Sequence, residues 1–300
     1  MPFSSTVGSG RVAIRWSGGV AVITGAGSGI GRSLALALAE AGMDVVVTGR
    51  RRDRLDEVAD TIRAAGGRPL PYVVDVAVLD EVMALADHVR DVYGRVDVLA
   101  LNAGVTSAGP LVDHTPQDWR WIFDVNVFGV VNALSAFMRG MFEAGSGHIL
   151  ITGSQMGITP DFAEGHGPYV AAKAALTGLA VSLQPEAEQH GVGVSLLIPG
   201  YTVTDLGGSN DGRPSILAGQ FADRKAPTPA RDIRLPKDPA ARVALTPAEV
   251  AARAIAGMEH NDLFIATHPS LRPYVERYAQ RLVAPYDADP ADEQAGPIAR

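Results

Sequence analysis

A doubly wound α/β fold, one seven-stranded parallel sheet with helices on both faces, is predicted for this 300-residue chain by three observations. Short runs rich in Val, Ile and Leu alternate with longer amphipathic stretches, the pattern left by helical crossovers between parallel strands. The runs carry little polar alternation, as strands do when both sheet faces are covered. The first run also passes through a glycine-rich turn straight into a helical pattern, with Leu34, Leu36 and Leu38 behind it.

The strands are expected at 20–24 (VAVIT), 44–48 (DVVVT), 70–74 (LPYVV), 96–101 (VDVLAL), 148–152 (HILIT), 192–198 (VGVSLLI) and 263–267 (LFIAT). Helices are expected between them, at 30–42, 52–65, 78–93, 116–144, 167–190 and 246–260. Pro185 lies inside the helix at 167–190, where it removes a backbone bond to Val181, so a kink or an early end is expected there. Residues 1–17 read as a flexible tail, 18–285 as a single catalytic domain and 286–300 as a polar C-terminal tail. Residues 205–245, rich in Gly, Pro, Asp and Arg without strong periodicity, read as a substrate loop or lid.

Composition narrows the chemistry. There is no cysteine, which excludes disulfides, thiol catalysis and Cys-based metal sites. The seven histidines show no close-spaced ligand pair on one helix face, so no metal is expected. A net charge of −7 argues against a nucleic-acid partner. The first 19 residues lack the apolar core of a signal peptide, and no apolar run is read as reaching the ~18 residues that span a bilayer. A cytoplasmic protein without a membrane partner is expected.

The turn itself reads Thr24-Gly25-Ala26-Gly27-Ser28-Gly29-Ile30-Gly31. Gly25 allows a sharp turn, Gly29 allows the backbone to approach a pyrophosphate, and Gly31 allows helix and strand to pack closely. The helix N-terminus adds amide donors and the positive end of its dipole. Gly25, Ser28, Gly29, Ile30 and Gly31 are therefore the candidate phosphate-binding residues. The spacing Thr-Gly-x-x-x-Gly-x-Gly, rather than Gly-x-Gly-x-x-Gly, resembles that of the short-chain dehydrogenase/reductase family, and the resemblance extends from about residue 18 to 267. It implies a single-domain Rossmann fold and a nicotinamide cofactor.

The second strand ends at Gly49, where an acidic residue would bond the adenosine ribose, and Arg50 and Arg51 follow. Guanidinium groups clamp phosphates, so NADP(H) is preferred, with NAD(H) the alternative. The resemblance places Asp75 and Val76 beside the adenine. Asn102, Ala103 and Gly104 (LNAG) match the family's Asn-Asn-Ala-Gly run except that Leu101 replaces its first Asn. Pro199 and Gly200 match its Pro-Gly turn, which receives the nicotinamide carboxamide, with Thr202 and Thr204 near the amide or the phosphates.

Four residues match the family's catalytic set: Asn126, Ser154, Tyr169 and Lys173. Tyr169 and Lys173 stand i, i+4 on one helix face. A phenol titrates near ~10, and a neighbouring ammonium is expected to lower it toward a useful range. Tyr169 then exchanges a proton with the substrate oxygen, and Ser154 hydrogen-bonds that oxygen. Lys173 also binds the nicotinamide ribose, and Asn126 is implied to hold a relay water. Lysine occurs three times in the chain and arginine 23 times, so composition alone predicts only about 0.07 Tyr-x-x-x-Lys pairs.

The resemblance implies a ketone or secondary alcohol as the small-molecule partner, and a homodimer or homotetramer. Gln155, Met156 and Phe162 are the candidate substrate residues, and with Ile158 they imply an apolar pocket for a bulky cyclic or aromatic substrate. The C-terminal stretch resembles the bacterial branch that includes aryl-ether Cα-dehydrogenases. Two other readings stay open: a 3-oxoacyl-carrier-protein reductase, and a non-catalytic NADP(H)-sensing protein.

Overall fold

The computed structural model describes residues 14–160, 165–204, 206 and 243–286. Seven parallel strands lie in the order β3-β2-β1-β4-β5-β6-β7. They are β1 (Val20–Ile23), β2 (Asp44–Gly49), β3 (Arg68–Val73), β4 (Val98–Leu101), β5 (His148–Thr152), β6 (Gly193–Ile198) and β7 (Phe264–Ala266). The order reverses between β1 and β4, and this switch point opens a crevice at the carboxyl ends of both strands.

The runs without polar alternation are the strands with both faces covered. β1, β4, β5 and β6 are buried along their whole length. On one face Val22, Leu99, Ile149 and Leu196 pack with α3 (Leu79–Tyr93), α5 (Gly129–Ala144) and α7 (Gly167–Gln189). On the other, Ala21, Ile23, Val45 and Leu197 pack with α1 (Gly29–Glu40), α2 (Arg52–Ala64) and α8 (Pro247–Glu259). β3 and β7 are the edges and are less buried, which is why β3 tolerates Pro69 and Pro71.

Three expectations are corrected. The helix at 116–144 is divided into α4 (Pro116–Phe123), a π-helical turn (Asp124–Phe128) and α5. Thr115 and Asp118 form a capping box at its start. Gly129, just after the π turn, has no room for a side chain, because a Cβ would lie 2.7 Å from Val76 Cγ2. Secondly, α7 does not end at Pro185 but continues to Gln189. Pro185 and Val181 are exposed, so the Val181 carbonyl that loses its helical donor lies on the solvent face. Thirdly, the Pro116–Ala144 stretch is long and apolar enough to cross a membrane, contrary to the sequence reading, but half of it is buried against the rest of the protein.

Two elements were not expected. α6 (Gln155–Ile158) is a single turn after β5, and α9 (Arg272–Val283) follows β7 with no buried residue. The segment 1–13 of the expected tail, the C-terminal tail from 287, and most of the 205–245 loop (205 and 207–242) lie outside the described residues.

His148, fully buried at the start of β5, shows what this packing demands of a polar group. Ser195 Oγ donates to the Asp262 carbonyl at 2.6 Å, so it accepts from His148 Nε2–H at 2.8 Å. Burial pushes the imidazole pKa down to about 3. Below the ordinary value of 6.5 the unfolded chain takes up a proton that the folded chain refuses, and stability falls as pH falls from there toward about 3. His148→Gln, which keeps a donor for Ser195, is expected to flatten this acid limb when melting temperature is followed against pH. An unchanged limb places the acid sensitivity elsewhere.

Candidate active site

The crevice is built by stitching β1 to β4. Thr24 Oγ1 accepts from the Asn102 and Ala103 amides at 2.9 and 3.1 Å. Asn102 Nδ2 returns a bond to the Thr24 carbonyl at 3.2 Å. Gly25 turns with φ +67°, and a Cβ there would lie 2.8 Å from Ala103 Cα. At Gly31 a Cβ would overlap the Gly25 carbonyl oxygen and Asn102 Nδ2. Gly29 opens α1 with φ +52°, and a Cβ on it would lie 3.2 Å from Thr204 Cγ2. Ser28, the N-cap residue, makes no side-chain cap bond, and no acidic residue occupies the first turn of α1. The first-turn amides of α1 are thus directed at the crevice, as phosphate binding requires. Ile30 is the packing member of the set, lodged against the sheet. These glycines form a cradle that side chains would fill, and it fits a dinucleotide.

The β2–α2 corner abuts this turn. Ala26 N donates to the Thr48 carbonyl at 2.8 Å, and a Cβ on Gly27, which sequence reasoning passed over, would lie 3.1 Å from Arg54 Cβ. Arg52 and Arg54 are paired with Asp56 and Glu57 along α2. Arg50 and Arg51 are exposed and make no ion pair among the described residues. Asp75 Oδ1 accepts from Ala77 N at 3.0 Å, and Val76 is buried with its carbonyl accepting from Asn132 Nδ2 at 2.9 Å.

The catalytic candidates converge beyond β4 and β5. Ser154 caps α6, its Oγ accepting from Met156 N at 3.2 Å. Tyr169 and Lys173 project from the first turns of α7, 7% and 3% exposed. Lys173 Nζ donates to the Thr152 carbonyl at 2.6 Å and stands 5.7 Å from the centre of the Tyr169 ring. Asn126, on the π turn and 0% exposed, exchanges two 2.8 Å bonds with the Val105 peptide, its Oδ1 accepting from N–H and its Nδ2 donating to C=O. Gly104 lies between them, with its Cβ position 3.0 Å from Asn126 Oδ1 and 3.8 Å from Lys173 Nζ. Gly157, missed from the sequence, lets α6 lie on α7, since a Cβ there would sit 2.6 Å from the Lys173 carbonyl carbon.

The electrostatics differ from expectation. Burial pushes Tyr169 up, and only its hydrogen bond with Ser154 pulls it down. The ammonium expected to lower it is turned to the Thr152 carbonyl, and burial lowers Lys173 itself to about 8.

Among the substrate candidates, Gln155 is buried and its amide donates to Thr159 Oγ1 at 2.9 Å, so it is spent inside its own turn. Met156 is half-buried, Ile158 packs on the core, and Phe162 lies outside the described residues. One wall beside Tyr169 was not foreseen. His166 Nδ1 bonds the Ser107 carbonyl at 3.0 Å, Gly109 N bonds the Gly165 carbonyl at 2.8 Å, and Ser107 Oγ meets His114 Nε2 at 3.1 Å.

Pro199 and Gly200 close the crevice from β6. The Pro199 carbonyl accepts from Gln155 N at 2.9 Å, Thr202 Oγ1 donates to the Gly200 carbonyl at 3.2 Å, and Thr204 reaches Gly29. His268 and Thr267, also unforeseen, hold Gly200 from the far side.

With this geometry in view, comparison with known proteins is specific. Residues 19–213 match the family model for short chain dehydrogenases. A C alpha-dehydrogenase of Sphingobium sp. is 30% identical over 278 residues, 90% of this chain and 88% of its own. The 3-oxoacyl-[acyl-carrier-protein] reductase FabG of Escherichia coli is 33% identical over 213 residues, 70% of this chain and 85% of its own. The crystal structure of a short chain dehydrogenase/reductase from Burkholderia phymatum in complex with NAD superposes with a TM-score of 0.81 at 29% identity, covering 96% of this chain and 100% of that one. The glycine turn, the seven-stranded order and these relatives agree, and the chain belongs to the short-chain dehydrogenase/reductase family of NAD(P)-dependent oxidoreductases.

Proposed function

We propose that this oxidoreductase interconverts a secondary alcohol and a ketone, with Tyr169 as general acid and base. The observation that carries this reading is the buried convergence of Ser154, Tyr169, Lys173 and Asn126 at the mouth of the switch-point crevice. A nicotinamide cofactor, when bound, supplies or accepts the hydride. The residues of the chain do the rest. Ser154 stands close enough to Tyr169 to lower its phenol's pKa against the effect of burial, so a substrate oxygen entering between them meets two hydroxyl donors. Tyr169 gives its proton to that oxygen in reduction and takes the alcohol proton in oxidation. Lys173 holds a positive charge behind the phenol and offers its remaining donors to ribose hydroxyls. Asn126 fixes the Val105 peptide and the space beside Lys173 where a relay water fits the family pattern.

NADP(H) is the preferred cofactor in this reading. Gly49 puts no carboxylate at the end of β2, and Arg50 and Arg51 leave two guanidinium groups beside the turn. A bulky apolar cyclic or aromatic substrate is favoured because the similarity to the C alpha-dehydrogenase covers 90% of this chain, including the segments after residue 243. A carrier-protein substrate is the second reading, favoured by the 33% identity to FabG, but that similarity covers only 70% of the chain. Self-association is proposed through the π turn, α5 and α7, where Phe128, Val131 and Val181 are exposed.

Three outcomes test the reading. Tyr169→Phe is expected to lower turnover on a panel of ketones by about 10²–10⁴-fold while NADPH binding persists, and undiminished turnover would falsify the assignment. Arg50→Glu is expected to weaken NADPH binding at least about tenfold and to leave NADH binding nearly unchanged, and equal losses would remove Arg50 from the 2′-phosphate site. Lys173 keeps its charge below about 8 and loses it above. Ketone reduction should therefore decline as pH rises past that value, in a rate profile taken at saturating cofactor.

A further inference from the structure

The chain leaving β6 is held at every step. The Pro199 carbonyl is tied to the Ser154 segment through Gln155 N, and Thr204 lies over Gly29 at the glycine turn. Tyr201 and Val203 pair with Leu245 through two bonds of 3.1 and 3.0 Å. The 199–204 run therefore bridges the two halves of the crevice, and its shape decides how both face a bound dinucleotide.

One side chain bonds the backbone of two successive residues of that run. Gly200 N donates to His268 Nδ1 at 3.1 Å, and His268 Nε2 lies 3.1 Å from the Tyr201 carbonyl. An amide N–H can only donate, so Nδ1 accepts, Nε2 carries the proton, and the ring is neutral. Gly200 is glycine for the same reason: a Cβ would lie 2.7 Å from His268 Cγ and Nδ1. The ring is buried, with Thr267 Oγ1 2.7 Å from Nδ1 and Leu271 Cδ1 beside it, 3.0 Å from the same Cβ position of Gly200. From α8, Arg253 and Glu249 face it, Arg253 also donating to the Thr267 carbonyl, and the Val243 carbonyl completes the shell.

We propose that His268 is a positioning residue for the cofactor, a latch whose neutral imidazole sets the 199–204 run and whose protonation releases the Gly200 amide and weakens dinucleotide binding. Nothing in the family's catalytic set includes it, and the inference rests on the reading of the crevice as the nicotinamide site. The sign follows from the environment. Burial is the largest influence and lowers the imidazole pKa, the Tyr201 carbonyl raises it, Arg253 lowers it, and the Val243 carbonyl and Glu249 raise it, with the balance below 6.5. The latch is closed at neutral pH and opens as pH falls through that lowered value.

The test compares wild type with His268→Gln, which keeps a donor and an acceptor but cannot protonate, and His268→Phe, which keeps ring volume and loses both bonds. NADPH and NADH are titrated by fluorescence from neutral to acid pH, with thermal melts at each pH to restrict the comparison to folded protein. Wild type should bind about tenfold more weakly at the acid end, the effect of losing one buried hydrogen bond. The Gln variant should bind near wild type at neutral pH and lack that limb. The Phe variant should bind about tenfold more weakly throughout. The cofactor's own phosphate titrates equally in all three proteins, so the difference between them is the readout. A wild-type acid limb retained in the Gln variant overturns the proposal, and this holds even if the Phe variant does not fold. Failure of wild type to bind either dinucleotide at neutral pH overturns instead the reading of the crevice.

Discussion

A buried ammonium is the constraint around which this site is organised. Lys173 is 3% exposed, and its lowering from 10.5 to about 8 corresponds to about 3 kcal/mol of lost hydration. The Thr152 carbonyl, left free at the end of β5, meets that charge at 2.6 Å. Beside it, a side chain on Gly104 would crowd Asn126 Oδ1 at 3.0 Å, and Gly157 lets α6 settle against the backbone of α7. Thr152 is in turn fixed through its hydroxyl to Asn102 Oδ1, and Asn102 to the carbonyls of Thr24 and Gly25. The cation and the glycine turn are thus linked through Thr152 and Asn102 by successive hydrogen bonds.

The switch point explains why so many chemical groups meet here. Between β1 and β4 no crossover helix covers the strand ends, so backbone donors and short side chains face an open crevice. Elsewhere the same sheet is closed by two apolar faces that leave polar groups few partners, as the lowered pKa of His148 records. Buried polar groups away from the crevice are each tied into hydrogen bonds, as Asp97 is to Val20 N and His148 is to Ser195.

Much of this was legible in the sequence, and what was not has physical reasons. The strands were readable because residues buried on both faces must be apolar throughout, and each expected run lies within about two residues of its strand at either end. Gly25, Gly29 and Gly31 were readable because three demands on one short turn leave a spacing that few other structures share. The π turn holding Asn126 was not, because one extra residue in a helical turn changes hydrogen bonding without changing which residues are apolar. Gly157, His166 and His268 act through contacts with residues far away in the chain or on another element, and a lone glycine or histidine carries no spacing to mark it. Pro185 misled for a related reason. Its cost depends on whether Val181 faces water, which composition does not say. The balance at the phenol was not legible because it depends on burial, which raises it, and on where the ammonium's short bond runs, here to the backbone.

The geometry also accounts for a lysine in a chain that uses arginine 23 times. A guanidinium is a planar fork that needs space on two sides and does not lose its proton. At position 173 Nζ bonds a single carbonyl, Asn126 is committed to Val105, and the Cβ position of Gly104 lies 3.8 Å from Nζ. A compact ammonium with three rotatable donors bonds Thr152 with one and keeps two further donors. Its pKa, lowered to about 8 by burial, also lets it release a proton near neutral pH, which arginine cannot do. Space and titration together favour lysine at this position.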